Sequence, residues 1–354
     1  MKETNKKQLT IFLVVAYVVP FALGILMWLG YRSQKDLSIF PVAQMFYPAA
    51  GVMLAVLLTK KRDKLVPGKY FIGFIILTAL MLALAVLSVV SPSQLWNGAS
   101  QFAVIIGSVV LWIMMLMDGR ERREAYGLRG RNWKMTILIS LLFLGIYLLR
   151  MVIGYVVSGE VSTMMEIIAD PSTWVLLGGT IISYVLSFAP FFGEEYGWRY
   201  YLQPIMQKKF GAVKGVVLLG VIWGLWHLPI NFFYYTSPAD GLKSVIGQII
   251  TCVTLGIFFA FAYMKTNNIW LPVILHYLNN NLIPVISGNH SADAIANQQM
   301  GWGDVLYLLI VNSILFAVFV LSKYFKDKSL LLPTMEERAE AVRERVINAE
   351  EAQS

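Results

Sequence analysis

Thr173-Trp174-Val175-Leu176-Leu177 opens a long apolar run that passes through Tyr184-Val185-Leu186 and Phe191-Phe192 and then meets Glu194-Glu195-Tyr196-Gly197-Trp198-Arg199. Two adjacent carboxylates and a guanidinium thus lie in or against a segment otherwise suited to hydrocarbon. An ionisable side chain at mid-bilayer costs from about 2.5 kcal/mol upward, so such groups face a bundle interior or a water-filled cavity. The stretch therefore reads as part of a polytopic helical membrane protein with charged chemistry between its spans.

The surrounding composition agrees. The 354 residues are 57% hydrophobic and only 14% charged, against about 25% charged in an ordinary soluble domain. The net charge of +8 does not imply nucleic acid, because Lys and Arg fall in short loops between apolar runs, where membrane topology accounts for them. The single cysteine, Cys252, sits in an apolar run and has no intrachain disulfide partner. Lys2, Lys6 and Lys7 precede the apolar stretch Leu9–Gly30, which is too long for a signal peptide and lacks a small-residue cleavage site. It is expected to be an uncleaved first helix.

Apolar runs of roughly twenty residues, the length that spans a bilayer, occur at Leu9–Gly30, Phe40–Leu58, Tyr70–Val90, Gly98–Met117 and Met135–Val157. Others lie at Thr173–Tyr201, Val213–Tyr235, Val245–Met264, Ile269–Ser287 and Val305–Leu321. The expected fold is all-α, with about ten transmembrane helices. Alternating the loops puts Lys60, Lys61, Arg62, Lys64 and Lys69 on one side with Arg120, Arg122, Arg123, Arg129, Arg131, Lys208, Lys209, Lys214 and Lys265. Lys323, Lys326 and Lys328 join them. The other side holds Glu160, Glu166, Asp170, Asp240, Asp293 and Asp304, with Arg32, Lys35 and Lys243 against the trend. The positive-inside rule then predicts a multi-pass protein of the cell membrane with both termini cytoplasmic.

The basic loop Asp118–Lys134 is the natural boundary. It divides a four-helix N-terminal region (1–132) from a six-helix region (133–325) that carries every unusual polar residue, followed by a tail (326–354). In the tail, Thr334 and Glu337 have capping-box spacing, and Met335, Ala339, Val342, Val346 and Ala349 form a weak stripe. A solvated charged helix is the favoured reading, a partner-binding helix the other.

Three polar constellations stand out. Glu195 and Arg199 are i,i+4 on a helix, in the favourable acid-before-base order. Glu194, rotated by about 100°, is left free as a general base or acid. An ordinary helix-end ion cluster is the competing reading. Next, Trp223-Gly224-Leu225-Trp226-His227-Leu228-Pro229 puts His227 well inside the seventh run. Trp223 lies four residues earlier to orient the imidazole, and Pro229 is placed to kink the helix just past it. A hydrogen-bonded core histidine is the bland alternative. Third, His276 and Asn280 share a helix face. They could donate to a developing oxyanion or simply join two helices. His290 falls in an outer loop and is assigned no role. Coincidence of these groups on three spans of one block favours a single shared site.

Other protease signatures are missing. The chain has no His-Glu-x-x-His zinc motif and no serine elbow. Gly301-Trp302-Gly303-Asp304 matches an aspartyl-protease pattern, but that chemistry needs a second carboxylate and every other Asp sits in a loop or tail. Arg150, in the fifth run, either snorkels outward or balances the Glu pair.

Together, Glu194-Glu195 to Arg199, Trp223 to His227, and His276 to Asn280 resemble the CAAX-protease and bacteriocin-processing (CPBP, or Abi) family of intramembrane proteases. That family's pattern is Glu-Glu-x-x-x-Arg, aromatic-x-x-x-His and His-x-x-x-Asn/Asp. The resemblance covers roughly Thr173 to Ser287, and Trp223 stands where the family usually has Phe. It implies an all-helical, Rce1-like catalytic bundle around a cavity. Glu194 would be general base on a water assisted by His227, with His276 and Asn280 holding the oxyanion, and Glu195 and Arg199 in support. Members are commonly labelled metalloproteases; a closed zinc site needs about three or four protein ligands, and Glu194, His227 and His276 are candidates that could supply three at most. A metal-free Glu/His mechanism is equally compatible with these residues. The implied partners are the lipid bilayer and a membrane-associated protein or peptide, as in CaaX processing or bacteriocin maturation and self-immunity. The alternative is a transporter or scaffold that uses the Glu/His cluster for protons or partner binding.

Overall fold

The computed structural model describes residues 3–288 and 295–352; His290 and Asp293 lie outside them. Among the described residues the regular structure is helical, with one isolated bridge between Thr236 and Gln298. The chain begins with four long helices, α1 (Glu3–Arg32), α2 (Ile39–Thr59), α3 (Gly68–Val90) and α4 (Leu95–Met117). A short α5 (Arg120–Ala125) follows, then α6 (Trp133–Ser158) and α7 (Val161–Ala169). Two bent pairs come next: α8 (Pro171–Ser187) with α9 (Ala189–Phe210), and α10 (Ala212–Trp226) with α11 (Leu228–Tyr235). The chain continues through α12 (Gly241–Thr266), α13 (Trp270–Ser287), α14 (Trp302–Leu321) and a tail helix α15 (Met335–Glu351).

Seven of these helices are long and apolar enough to cross a bilayer, or nine if each bent pair is one span, against the ten runs read from the sequence. The difference is α13. His276, Asn279, Asn280, Asn281, Pro272 and Pro284 dilute its apolar residues, and its first half is buried inside the protein instead of facing outward.

The run expected as one span over Thr173–Tyr201 is broken, with a 70° bend between α8 and α9. Pro190 cannot donate a backbone hydrogen bond, so the helix cannot continue through it unstrained. The freed Ala189 amide donates to Ser108 Oγ at 3.4 Å. The second bend, 44° between α10 and α11, falls where Pro229 was expected to kink the chain.

Close approach of helices holds both bent pairs in place. On α9, Gly193 and Gly197 lie against the α2 turn Met45–Pro48, where an added Cβ would stand 2.3 Å from the Met45 carbonyl oxygen and from Pro48 Cβ. On α10, Gly220 and Gly224 meet Val253 and Ile249 of α12, each Cβ position 2.6 Å from a Cα. Small residues four apart let backbones pack where hydrocarbon supplies no hydrophobic drive.

One end of the bundle collects the basic loops and the tail. On α15, Glu336 pairs with Lys60 and Glu337 with Lys208, while Arg343 reaches Asp63 at 2.8 Å and Arg345 reaches Glu124 at 3.0 Å. Met335, Arg338, Ala339 and Val342 are buried, so the tail helix is docked on the bundle instead of solvated all round. Its capping box forms, with Thr334 N donating to Glu337 Oε2 at 2.8 Å. Glu124 also accepts from Arg129 and Arg131 at 3.0 and 2.8 Å. The Arg345 hydrogen bond first, then those of its neighbours, hold its carboxyl down at about 2, against an ordinary 4.5.

Candidate active site

Three helices bring the polar residues together. Glu194 and Glu195 lie on α9 just beyond the bend, His227 at the break between α10 and α11, and His276 on α13. Glu194 is 2% exposed, Glu195 and Arg199 0%, His227 7% and His276 5%. Buried charge demands partners, and each group has them.

Glu195 accepts from Arg199 Nε at 3.1 Å on one oxygen and from His276 Nδ1 at 2.9 Å on the other. The first contact is the pair expected from sequence. It survives even though residues Tyr196–Leu202 wind as a π-helix, in which the Gln203 amide donates to Trp198, five residues back. Such wider turns recur at functional sites. The outer nitrogens of Arg199, Nη1 and Nη2, have no hydrogen-bond partner among the described residues. The guanidinium instead lies over the Trp223 ring, 4.8 Å from its centre, and near Phe259 at 5.7 Å. A cation over an indole face is attracted by the ring quadrupole.

Glu194 accepts a 2.7 Å hydrogen bond at Oε2 from the indole N–H of Trp223. The break at His227 supplies the next contact. The His227 amide turns to the Gly224 carbonyl, three residues back, at 3.2 Å. The Trp223 carbonyl, which a continuing helix would have given to that amide, accepts from His227 Nδ1 at 2.8 Å. A carbonyl only accepts, so Nδ1 carries the proton and a neutral His227 keeps its lone pair on Nε2. Trp223 therefore touches Glu194, Arg199 and His227, and its ring meets that of His276 edge to face at 5.6 Å.

Residues 173–282 of this polar cluster and its helices match the family described as Type II CAAX prenyl endopeptidase Rce1-like. The segment belongs to the Rce1-like family. CAAX prenyl protease 2 of Methanococcus maripaludis is similar to part of this chain, 28% identical over 92 residues that make up 25% of this chain and 34% of that protein. The match thus spans about a third of the length of that relative. No solved structure matches the chain.

Within the Rce1-like segment the structure brings Glu194, Glu195, Arg199, Trp223, His227 and His276 together, but not Asn280. That residue is exposed one turn beyond His276, its Oδ1 accepting from Asn279 Nδ2 at 2.9 Å. Arg150 is also elsewhere, its guanidinium over Tyr147 at 5.8 Å. Asp304 is a helix cap, accepting from the Gly301 amide at 2.8 Å.

The donor set does not fit a metal. A structural zinc takes four protein ligands and a catalytic one three, yet among the described residues no three His, Cys, Asp or Glu side chains converge to hold one. Glu194 and His276, two of the three candidate ligands, are bonded to Trp223 and Glu195 instead.

Two buried residues of the surroundings escaped the sequence reading. Gln44, from α2, donates to the Trp226 carbonyl at 2.9 Å. Asn231 donates to the His227 carbonyl at 2.9 Å and accepts from Ser244 at 2.6 Å. Asn231 is four residues past His227 in an apolar run, a signal of the same kind that marked Asn280. Gln44 gave none beyond being polar in a span.

Proposed function

We propose that this protein is an intramembrane endopeptidase that hydrolyses a peptide bond of a membrane-associated protein or peptide by a metal-free Glu/His mechanism. The Trp223–Glu194 hydrogen bond carries the reading, because it engages one carboxylate oxygen and leaves the other available. That free oxygen takes a proton from water, the hydroxide oxygen adds to the peptide carbonyl, and the proton passes to the leaving amine as the C–N bond breaks. His227 Nε2, its lone pair fixed by the tautomer, orients the water.

His276 gives its Nδ1–H to Glu195, so it donates to an oxyanion only as an imidazolium, through Nε2. Charge balance favours that state: Glu194 and Glu195 against Arg199 and His276 sum to zero in an apolar surround. Asn280 supplies the second oxyanion contact on turning from Asn279 when substrate arrives. The basic end of the bundle and both termini face the cytoplasm, following the loop asymmetry.

Terminal-peptide profiling of membranes tests this. Wild type is expected to yield cleavage products that vanish in both Glu194→Ala and His227→Ala. Products that persist in both variants, alongside loss of a pH-dependent flux, would favour the transporter reading instead.

A further inference from the structure

Along α9, Phe192, Tyr196 and Tyr200 form an aromatic ladder, stacked one turn apart. The ring centres are 4.9 and 4.5 Å apart and nearly parallel, at 25° and 14°. Both tyrosine hydroxyls are anchored at the end of α5, Tyr196 donating to the Tyr126 carbonyl at 3.0 Å and Tyr200 to the Ala125 carbonyl at 3.3 Å. Gly127, with φ +70, presses against Tyr200 so closely that a Cβ would stand 2.2 Å from the ring.

The tail reaches this ladder. Arg338 of α15 lies with its guanidinium 5.6 Å from the centre of the Tyr200 ring and donates from Nη2 to Tyr263 at 3.3 Å. It is the basic residue of α15 that is buried. Around it, ion pairs fasten α15 to Lys60, Asp63 and Glu124, and to Lys208 of α9 itself. One helix, outside the Rce1-like segment, thus grips the reactive helix at Tyr200 and at Lys208.

Tyr200 is adjacent to Arg199, and Tyr196 to Glu195, so a rotation of α9 that moves the ladder moves the charged face equally. The turn between them is π-helical, a rare winding that recurs at functional sites, and α5 and α15 brace it from outside. We propose that Arg338 is a positioning residue for the reaction, setting the rotation of α9, and so the aim of Glu194, through Tyr200. The proposal rests on the hydrolase reading for its kinetic arm only.

The test uses the full chain in bilayers, with Arg338→Ala and Arg338→Lys. Arg338→Ala is expected to lower kcat about tenfold, since small misplacements at a reacting centre are costly, with KM changed less than about twofold. Hydrogen exchange at the amides of 196–202 should rise in the same variant. Arg338→Lys should restore both, because an ammonium also sits over an aromatic face. Unchanged exchange over 196–202 in Arg338→Ala overturns the proposal, as does raised exchange with wild-type kcat. Should Arg338→Ala not fold, Arg343→Glu is expected to loosen α15 and raise the same exchange, and Asp63→Arg added to it to reverse the effect; no change in either overturns the proposal. A wild type without hydrolysis would overturn the hydrolase reading alone, while the exchange data still decide whether Arg338 holds α9.

Discussion

The indole N–H of Trp223 donates to Glu194 at 2.7 Å while the carbonyl of the same residue accepts from His227 at 2.8 Å. One residue therefore holds both the Glu194 carboxylate and the His227 imidazole. The two contacts separate cleanly, because the first belongs to the side chain and the second to the backbone.

Trp223→Phe keeps the backbone contact and an aromatic face for Arg199 but removes the donor to Glu194. A hydrogen bond to a charged group is worth about 1.5–3 kcal/mol, so kcat should fall about 10- to 100-fold with KM little changed. Steady-state kinetics against a membrane peptide would check it. An unchanged kcat would mean that Glu194 does not depend on this bond.

Arg199→Met should destabilise the fold more than it alters any surface property. It leaves Glu195 buried with a lost partner, a change that costs about 3–5 kcal/mol where one member of a buried pair is removed. Glu195→Gln together with Arg199→Met should recover part of that loss. Thermal unfolding of both variants in detergent gives the comparison.

What the sequence could and could not say follows from the range of each interaction. The Glu195–Arg199 pair and the kink at Pro229 were legible because both depend on residues four apart or fewer along one helix. The His276–Glu195 and Trp223–Glu194 bonds were not, since each joins helices far apart in the chain, and only coincidence of rare residues hinted at one site. The break before Pro190 was hidden because Thr173 to Phe192, on both sides of it, read as one uncharged run. The polarity of α13 acts in the opposite direction: its 18 residues are long enough for a span, but its Asn, His and Pro residues keep it below the apolarity of the other spans. The tail read as solvated because its stripe is short, and its partners, Lys60, Asp63, Glu124 and Lys208, lie far away in the chain.

Gly193→Val should abolish the close approach of α9 to α2. The added Cβ would stand 2.3 Å from a backbone carbonyl, which cannot move aside as a flexible side chain would. Overpacking typically costs about 1–3 kcal/mol, and the shift would carry Glu194, the next residue, with it. Lower melting temperature together with reduced hydrolysis is expected. Gly178→Val on α8, where nothing lies within 4 Å of the Cβ position, should leave both unchanged.

Acid should release the tail late. Glu124, held at about 2 against an ordinary 4.5 by Arg345, Arg129 and Arg131, contributes stability that is fully present above its unfolded value. That contribution is lost as pH falls from about 4.5 toward about 2. Limited proteolysis between α14 and α15 should therefore accelerate over that window in wild type. Glu124→Gln should be cut faster at neutral pH and show no such step from this residue.

The most direct measurement is hydrolysis of a membrane-anchored peptide library by the purified protein in bilayers, with wild type and Glu194→Gln compared at equal folded concentration and product termini read by mass spectrometry. The account predicts a defined set of new termini with wild type and their loss with Glu194→Gln, at unaltered thermal stability. The same termini appearing with Glu194→Gln at the wild-type rate would contradict it.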